Sequence, residues 1–283
     1  MREQLGRIVE HARTPTAPPA GEVDRFWYGL AQPLYGLRVL WSTPALRRRA
    51  LPPVLAVLVI AGFAALDVRH PTPGRIAWRY YAAVTGMASL PAVLFANTYA
   101  RLAADAAAQL GFGERAPILS SLVARLRQML HSVILVALGL LPLVVLLRMV
   151  PLAGDLAVLA VSSAWTMHWI VVEALDAARV VDPGRGAPPE PWFVAWTRSP
   201  LWDQVPGLRR PVRWFGRVIT RLARPWAEEA ALVARHPALA IGFGVAAAIL
   251  LALPVANLLL RPAILVGAIN LRGRLAKIDQ NQG

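Results

Sequence analysis

Apolar runs of near-spanning length alternate with short basic or proline-rich segments along this chain. The first run, residues 51–66, follows three consecutive arginines, and the second, residues 82–100, follows a Trp and two Tyr. A helix crosses the hydrocarbon layer with about 20 predominantly apolar residues. The two runs therefore predict two membrane-spanning helices, with the aromatic residues at the far interface.

The C-terminal region holds two apolar runs, residues 238–260 and 263–269. Proline removes a helical hydrogen bond and clashes with the preceding turn, so Pro254 and Pro262 predict a kink and a break. Basic segments stand on both sides of the region, and cytoplasmic segments carry the excess of arginine and lysine. The pattern predicts a hairpin of two short helices with both ends in the cytoplasm.

The middle of the chain repeats this arrangement. Residues 132–147 and 152–175 are apolar and flank Pro151, which predicts a second short-helix hairpin. Partial penetration suits the shorter arms slightly better by length. Whether the two hairpins cross fully or penetrate half-way stays open at this point.

The remaining segments are polar or amphipathic. Apolar residues recur at helical spacing in 25–41 and in 102–131, which predicts interfacial helices, although the second could extend the preceding crossing. Residues 1–24 predict a disordered cytoplasmic tail, 177–236 a cytoplasmic interfacial region, and 272–283 a second cytoplasmic tail. The fold class is therefore an all-α, polytopic integral membrane protein with its N-terminus in the cytoplasm.

Small residues recur every fourth position at Ala240, Gly244, Ala248 and Ala252. In lipid, such a stripe lets two helices approach closely. We expect it to pack against another helix, either within the chain or between subunits of a homo-oligomer.

Composition and charge agree with a membrane protein. Hydrophobic residues make up 57% of the chain, and mean hydropathy is +0.48. The net charge of +14 comes from arginines spread through loops between apolar runs, so anionic lipid headgroups are expected partners and nucleic acid is not. The absence of cysteine excludes thiolate metal sites and nucleophilic cysteine.

The sequence holds no pattern of an enzyme. Its five histidines are isolated, and neither a zinc-protease motif, a nucleophile elbow nor a phosphate loop occurs. We predict no catalytic residue, metal or cofactor. Asp155, His168 and Glu173 are ionisable residues in the middle hairpin, where a functional role is the default hypothesis. A position of Asp155 at the turn and of Glu173 near the interface is the simpler alternative.

Two blocks resemble the CysZ sulfate-permease-like family, which includes the etoposide-induced membrane proteins. One block runs from Tyr35 through Gly36, Leu37 and Arg38 to Leu51-Pro52-Pro53. The other contains Gly242-Phe243-Gly244, Leu253-Pro254-Val255-Ala256-Asn257, Arg261-Pro262 and Gly267-Ala268. Between them the likeness is confined to helix positions and to Asp176 with Arg179. The resemblance implies that residues 25–271 form a CysZ-like membrane domain in a bacterial inner membrane.

The same resemblance implies a permease or channel-like pathway for an inorganic oxyanion such as sulfate, passive or gradient-driven. It associates Gly36, Leu37 and Arg38 with anion binding. A sulfate-like dianion needs several donors when it leaves water; Gly36 allows close approach of the backbone, and Arg38 offers a cationic fork. A snorkelling Arg38 that contacts lipid phosphate is the competing interpretation.

Asn257, Arg261 and Asn270 are candidate residues along the pathway, although asparagine at a hairpin turn is as often a backbone cap. The alternative function is that of a non-transporting assembly or envelope factor. Such a protein would use its arginine-rich cytoplasmic face to bind anionic lipids or protein partners.

Overall fold

The computed structural model describes residues 2–14, 17–66, 74–75, 94–149, 154–180, 192–204, 207, 209–253 and 256–282, and over these the fold is all-helical, as the sequence predicts. The helices are α1 (Arg2–Arg13), α2 (Glu22–Ser42), α3 (Pro44–Leu66), α4 (Ala96–Gln109), α5 (Leu122–Arg148), α6 (Gly154–Ala177), α7 (Trp192–Ala195), α8 (Leu201–Gln204), α9 (Arg209–Ala223), α10 (Ala227–Arg235), α11 (Pro237–Ala252) and α12 (Ala256–Gln282). Short 3-10 turns, Trp196–Arg198 and Arg224–Trp226, precede α8 and α10.

Two of these helices are long and apolar enough to cross a membrane. Leu122–Val145 in α5 has a mean hydropathy of 2.1, and Gly154–Ala177 in α6 has 1.4. The expected first crossing, residues 51–66, lies in α3, which is not among the candidate spans of the described residues, and residues 82–93 of the expected second crossing lie outside the described residues. The middle region is therefore not a pair of short helices. Its first arm is longer than predicted because the preceding amphipathic residues join the apolar run in one 27-residue helix.

Helix α2 lies against α11 and α12 with the backbones nearly in contact. A Cβ atom at Gly36 would come 2.5 Å from the backbone nitrogen of Gly267, and one at Gly267 would come 2.5 Å from the carbonyl oxygen of Gln32. Gly29 of α2 and Gly242 of α11 meet the facing backbone in the same way. Any other residue at these positions would force the helices apart.

The predicted break at Arg261-Pro262 is wrong. Helix α12 continues from Ala256 to Gln282 with Pro262 inside it. A proline in a helix interior costs about 3 kcal/mol, but every residue from 262 to 273 is buried, so tertiary packing stabilises the helix through the proline. Pro254, where a kink is predicted, lies outside the described residues.

Helix α11 also packs on α6. A Cβ at Gly244 would come 2.6 Å from Cγ of Met167 and 2.9 Å from Cγ2 of Val171, both in α6. The prediction that the small-residue stripe contacts another helix is confirmed at Gly244, within one chain. Before α11 the chain bends by 109° relative to Arg209–Arg235.

The N-terminal segment differs from the expected disordered tail. Residues Arg2–Arg13 form α1, which packs on α2. Nη1 of Arg7 lies 2.5 Å from Oδ1 of Asp24 in an ion pair. The polar composition of this segment suggests disorder, but it is equally compatible with an amphipathic helix that is stabilised by packing on α2.

Candidate functional site

A polar cavity of about 430 Å³ lies between α4, α5, α6 and α12; we call it the inner cavity. Its polar and charged lining consists of Tyr99, Ser120, Arg125, Gln128, Glu173, Asp176, Arg179 and Arg261. The remaining lining is mainly Ala, Ile, Leu and Val. Few polar groups on an apolar wall are typical of a site that binds a small ligand.

The antiparallel packing of α5 and α6 creates one side of the inner cavity. Nε2 of Gln128 donates to Oδ2 of Asp176 over 2.7 Å, and the hydroxyl of Ser132 donates to Oε1 of Glu173 over 2.5 Å. Residue numbers rise along α5 as they fall along α6, so the beginning of α5 lies beside the end of α6. The cavity thus sits at one end of the two candidate membrane spans.

Two arginines at the inner cavity have buried donors without a partner. The Nε atoms of Arg125 and Arg261 are both buried, and neither has a hydrogen-bond partner among the described residues. Glu173 and the Tyr99 hydroxyl are the electrostatic neighbours of Arg261, and Asp176 is influenced by Arg125. A buried donor left unpaired is costly, so an anion that accepted from these groups would be bound favourably.

A buried ion cluster adjoins the inner cavity and consists of Glu229 with Arg179, Arg272 and Asp176. Glu229 has no exposed surface and accepts from Nη1 of Arg272 at 2.8 Å and from Nη2 of Arg179 at 2.9 Å. Nη2 of Arg179 also lies 3.0 Å from Oδ1 of Asp176. These contacts join α6, α10 and α12, so the charges of this Glu229 cluster stabilise the helix arrangement around the cavity.

The protonation state of Glu229 follows from its partners. Burial disfavours its ionised form, but the hydrogen bonds and charges of Arg179 and Arg272 outweigh burial and hold its pKa below the usual 4.5. Glu229 lies in α10, outside the two candidate spans. It is therefore an anion near neutral pH, and its single negative charge offsets one of the two positive charges that it contacts.

The structure separates the predicted anion-binding segment from the inner cavity. Gly36 is buried in the contact of α2 with α12, Leu37 is half-buried, and Arg38 is exposed. Nη1 of Arg38 donates to the carbonyl oxygen of Arg13 at the end of α1. A cation near a helix C-terminus interacts favourably with the helix dipole, so this contact holds α1 against α2.

The predicted pathway residues lie in different places. Arg261 lines the inner cavity. Asn270 is buried between α12 and α2, where its Nδ2 donates to Oε1 of Gln32 over 2.7 Å. The side chain of Asn257 lies outside the described part of the chain. Of the two whose side chains are described, the structure therefore brings Arg261 to a cavity and Asn270 to a helix contact.

Sequence reasoning missed several residues of this region. The sequence pattern predicts Arg125 on an interfacial helix, and Glu229 and Arg272 in polar cytoplasmic segments. A signal for the last two exists, because Glu229 is followed at once by the apolar residues 230–233 and Arg272 follows the long apolar run of α12. Charges at the edge of buried apolar stretches are almost always paired.

Comparison with known proteins gave no match. No protein-family model, curated protein or solved structure is similar enough to this chain to be reported. In the described ranges, no group of three or more His, Asp or Glu is placed to hold a metal ion. The geometry of the inner cavity is therefore the basis for any functional proposal.

Proposed function

We propose that this protein provides a passive pathway for an inorganic oxyanion such as sulfate across a membrane. The observation that carries the proposal is the pair of buried, unpartnered Nε donors of Arg125 and Arg261 in the inner cavity. Both lie at one end of two helices that are long enough to cross a membrane. The finer assignment is a CysZ-like family member, multi-pass in a bacterial inner membrane, working as a homo-oligomer.

The chemistry of the inner cavity suits transient binding of an anion. Guanidinium groups supply directed donors that replace part of the water lost by a tetrahedral oxyanion. Glu173 and Asp176 line the same cavity and repel an anion. A conducting site must bind weakly enough to release its ion, and mixed charge of this kind limits the affinity.

Gly36, Leu37 and Arg38 remain a second proposed contact for the anion. Arg38 is exposed and separate from the inner cavity, so it would act at the surface before the ion enters. Arg38→Ala is expected to weaken sulfate binding sharply, and Arg38→Lys to restore it in part because an ammonium keeps the charge but loses the fork. Isothermal titration with sulfate checks this. Unchanged sulfate binding in a folded Arg38→Ala protein would show that Arg38 does not bind the anion. Its role would then be the hydrogen bond to Arg13 that stabilises the packing of α1 on α2.

A second candidate function is a non-transporting membrane factor that binds anionic lipids. The observation that favours it is α9, whose arginines at positions 209, 210, 213, 217 and 221 occupy one side, while Gly216, Ile219 and Ala223 are buried. A basic amphipathic helix of this kind lies in the membrane interface. Such a factor would show no anion flux, whichever arginine is replaced.

Flux of sulfate and chloride into proteoliposomes tests the proposal. Arg125→Gln and Arg261→Gln are expected to lower sulfate flux at least about tenfold, because a hydrogen bond to a charged group is worth about 1.5–3 kcal/mol. Arg127→Gln is the matched control, since Arg127 lies on α5 like Arg125, carries the same charge and is exposed. Equal flux in all three variants, or no flux in the wild type, would contradict an oxyanion pathway through the inner cavity.

A further inference from the structure

A second basic pocket of about 430 Å³ lies where α5, α9 and α10 meet, and we call it the outer pocket. It is lined by His131, Arg179, Arg221, Arg224, Pro225 and Glu228. Arg179 lines both this pocket and the inner cavity. The outer pocket is thus a second concave surface, which shares Arg179 with the inner cavity.

The charge available in the outer pocket comes from two arginines. Arg179 is already matched by Glu229 and Asp176. Arg221 and Arg224, by contrast, are both exposed and make no hydrogen bond or ion pair within the described residues. They stand three positions apart across the end of α9, so both guanidinium groups can reach one ligand. The pair suits a phosphoryl group, whose oxygens accept bidentate bonds from arginine.

The surroundings of the outer pocket favour a lipid as the source of that phosphoryl group. Helix α9 packs against α5, and its Trp214 is 60% exposed, as expected for an aromatic side chain at the headgroup level. In α5, Leu130 and Val133 lie within two residues of His131 and are 56% and 59% exposed. A phosphate bound at Arg221 and Arg224 would therefore have apolar surface for its acyl chains close by.

We propose that the outer pocket binds the headgroup of an anionic phospholipid, with its phosphate on Arg221 and Arg224. Glu228 at the same pocket offers an acceptor for a hydroxyl group of the headgroup, which favours phosphatidylglycerol over a bare phosphate ester. The site differs from the general attraction of a basic protein to a membrane, because it depends on two particular side chains. It shares Arg179 with the inner cavity, but its phosphate contacts, Arg221 and Arg224, do not line that cavity, so the proposal does not rest on the oxyanion pathway.

Native mass spectrometry of the full chain in mild detergent tests this site. Phosphatidylglycerol is titrated against the wild type, Arg221→Gln/Arg224→Gln and Arg210→Gln/Arg217→Gln. Arg210 and Arg217 are exposed arginines of the same helix outside the pocket, so the control removes the same charge. We expect the pocket variant to bind phosphatidylglycerol at least about tenfold more weakly, because it loses the charge-assisted hydrogen bonds of two arginines to the phosphate. The control should lose less than about threefold, because it removes charge outside the pocket.

Three further measurements distinguish a specific phospholipid site from non-specific binding and from a site for a soluble anion. Phosphatidylcholine should bind the wild type at least about tenfold more weakly, because it lacks a net negative charge. Arg221→Lys/Arg224→Lys, which keeps the charge, should bind phosphatidylglycerol with intermediate affinity. Two results would overturn the site. One is an equal loss of phosphatidylglycerol affinity in Arg221→Gln/Arg224→Gln and in the control Arg210→Gln/Arg217→Gln. The other is an affinity equal to that of the wild type in both Arg221→Gln/Arg224→Gln and Arg221→Lys/Arg224→Lys. Inorganic phosphate that displaces the lipid at equal concentration would assign the pocket to a soluble anion instead.

Discussion

Glu229 is a carboxylate without exposed surface, held between the guanidinium groups of Arg179 and Arg272. Taking such charges out of water costs several kcal/mol for each ion, and the mutual attraction of the charges offsets this only when the geometry is good. Nη1 of Arg272 also donates to the carbonyl oxygen of Leu175 over 2.8 Å. The Glu229 cluster is therefore sensitive to the loss of any single member.

Arg272→Gln should destabilise the protein by about 3 kcal/mol, because removing one partner of a buried ion pair leaves an incompletely compensated charge. The expected result is a lower midpoint of thermal unfolding, followed by intrinsic tryptophan fluorescence in detergent. Lys277→Gln is the control, because Lys277 is exposed on the same helix and its cation–π contact with Phe112, at 5.1 Å from the ring centroid, is worth only about 0.5–1 kcal/mol at an exposed site. A midpoint in Arg272→Gln as high as in the control would show that the ion pair contributes nothing net.

Stability should also depend on pH through Glu229. Its pKa is lower in the folded protein than the usual 4.5, so its contribution is fully present above that value and is lost as pH falls toward the folded pKa. We expect the unfolding midpoint of the wild type to fall as pH is lowered below about 4.5. Glu229→Gln should be less stable at pH 7 and should show a smaller decrease over the acid range. If the unfolding midpoints of the wild type and Glu229→Gln decrease equally as pH falls, Glu229 is not the cause of the acid destabilisation.

At the scale of elements, the contact of α2 with α12 rests on glycine. Gly36→Ala should be destabilising, because the added Cβ would overlap the carbonyl oxygen of Ala263 and lie 2.5 Å from the backbone nitrogen of Gly267. Gly62→Ala is the matched control in α3, where no atom of the described residues lies within 4 Å of the new Cβ. Alanine favours a helix by about 1 kcal/mol over glycine, so the control should be neutral or slightly stabilised in thermal unfolding. A stabilised Gly36→Ala would contradict this close packing.

The elements that the sequence predicted well are those whose signal is local. The all-helical class followed from the apolar runs, and the contact at Gly244 followed from the four-residue spacing of small residues. The break predicted at Pro262 is wrong. The free-energy cost of a proline in a helix can be recognised from the sequence, whereas the burial that offsets this cost depends on helices distant in the sequence. The pairing of Arg272 with Glu229 joins residues 43 positions apart, and no periodicity encodes such a contact.

The inner cavity shows the same limit at the level of a site. Arg261 is predicted as one of three candidate pathway residues, and it stands in the Arg261-Pro262 pair of the C-terminal block, which is a local signal. The sequence does not predict a role for Arg125 in a binding site, since nothing distinguishes it from the other basic residues of an amphipathic helix. Its role depends on the end of α6 lying beside the beginning of α5, and that arrangement is a property of the tertiary structure.

At the scale of the whole molecule, the topology rests on how α5 and α6 lie in the membrane. Their antiparallel pairing places the beginning of α5 and the end of α6 at the same end of the hairpin, next to the inner cavity. Met149, directly after α5, lies at the other end and is 76% exposed. If α5 and α6 cross fully, Met149 reaches the far side, whereas a half-penetrating hairpin keeps it within the bilayer.

Single cysteines in this cysteine-free chain decide between the two topologies. Met149→Cys should react with a membrane-impermeant thiol reagent added to intact cells, because both helices are long enough to cross. Leu119→Cys, in the exposed segment before α5, and Gln280→Cys, near the C-terminus, should react only after the cells are opened. Labelling of Met149→Cys on neither side would indicate half-penetration. Labelling of Gln280→Cys in intact cells would contradict a cytoplasmic C-terminus, and with it the assignment of the arginine-rich segments and the outer pocket to the cytoplasmic face.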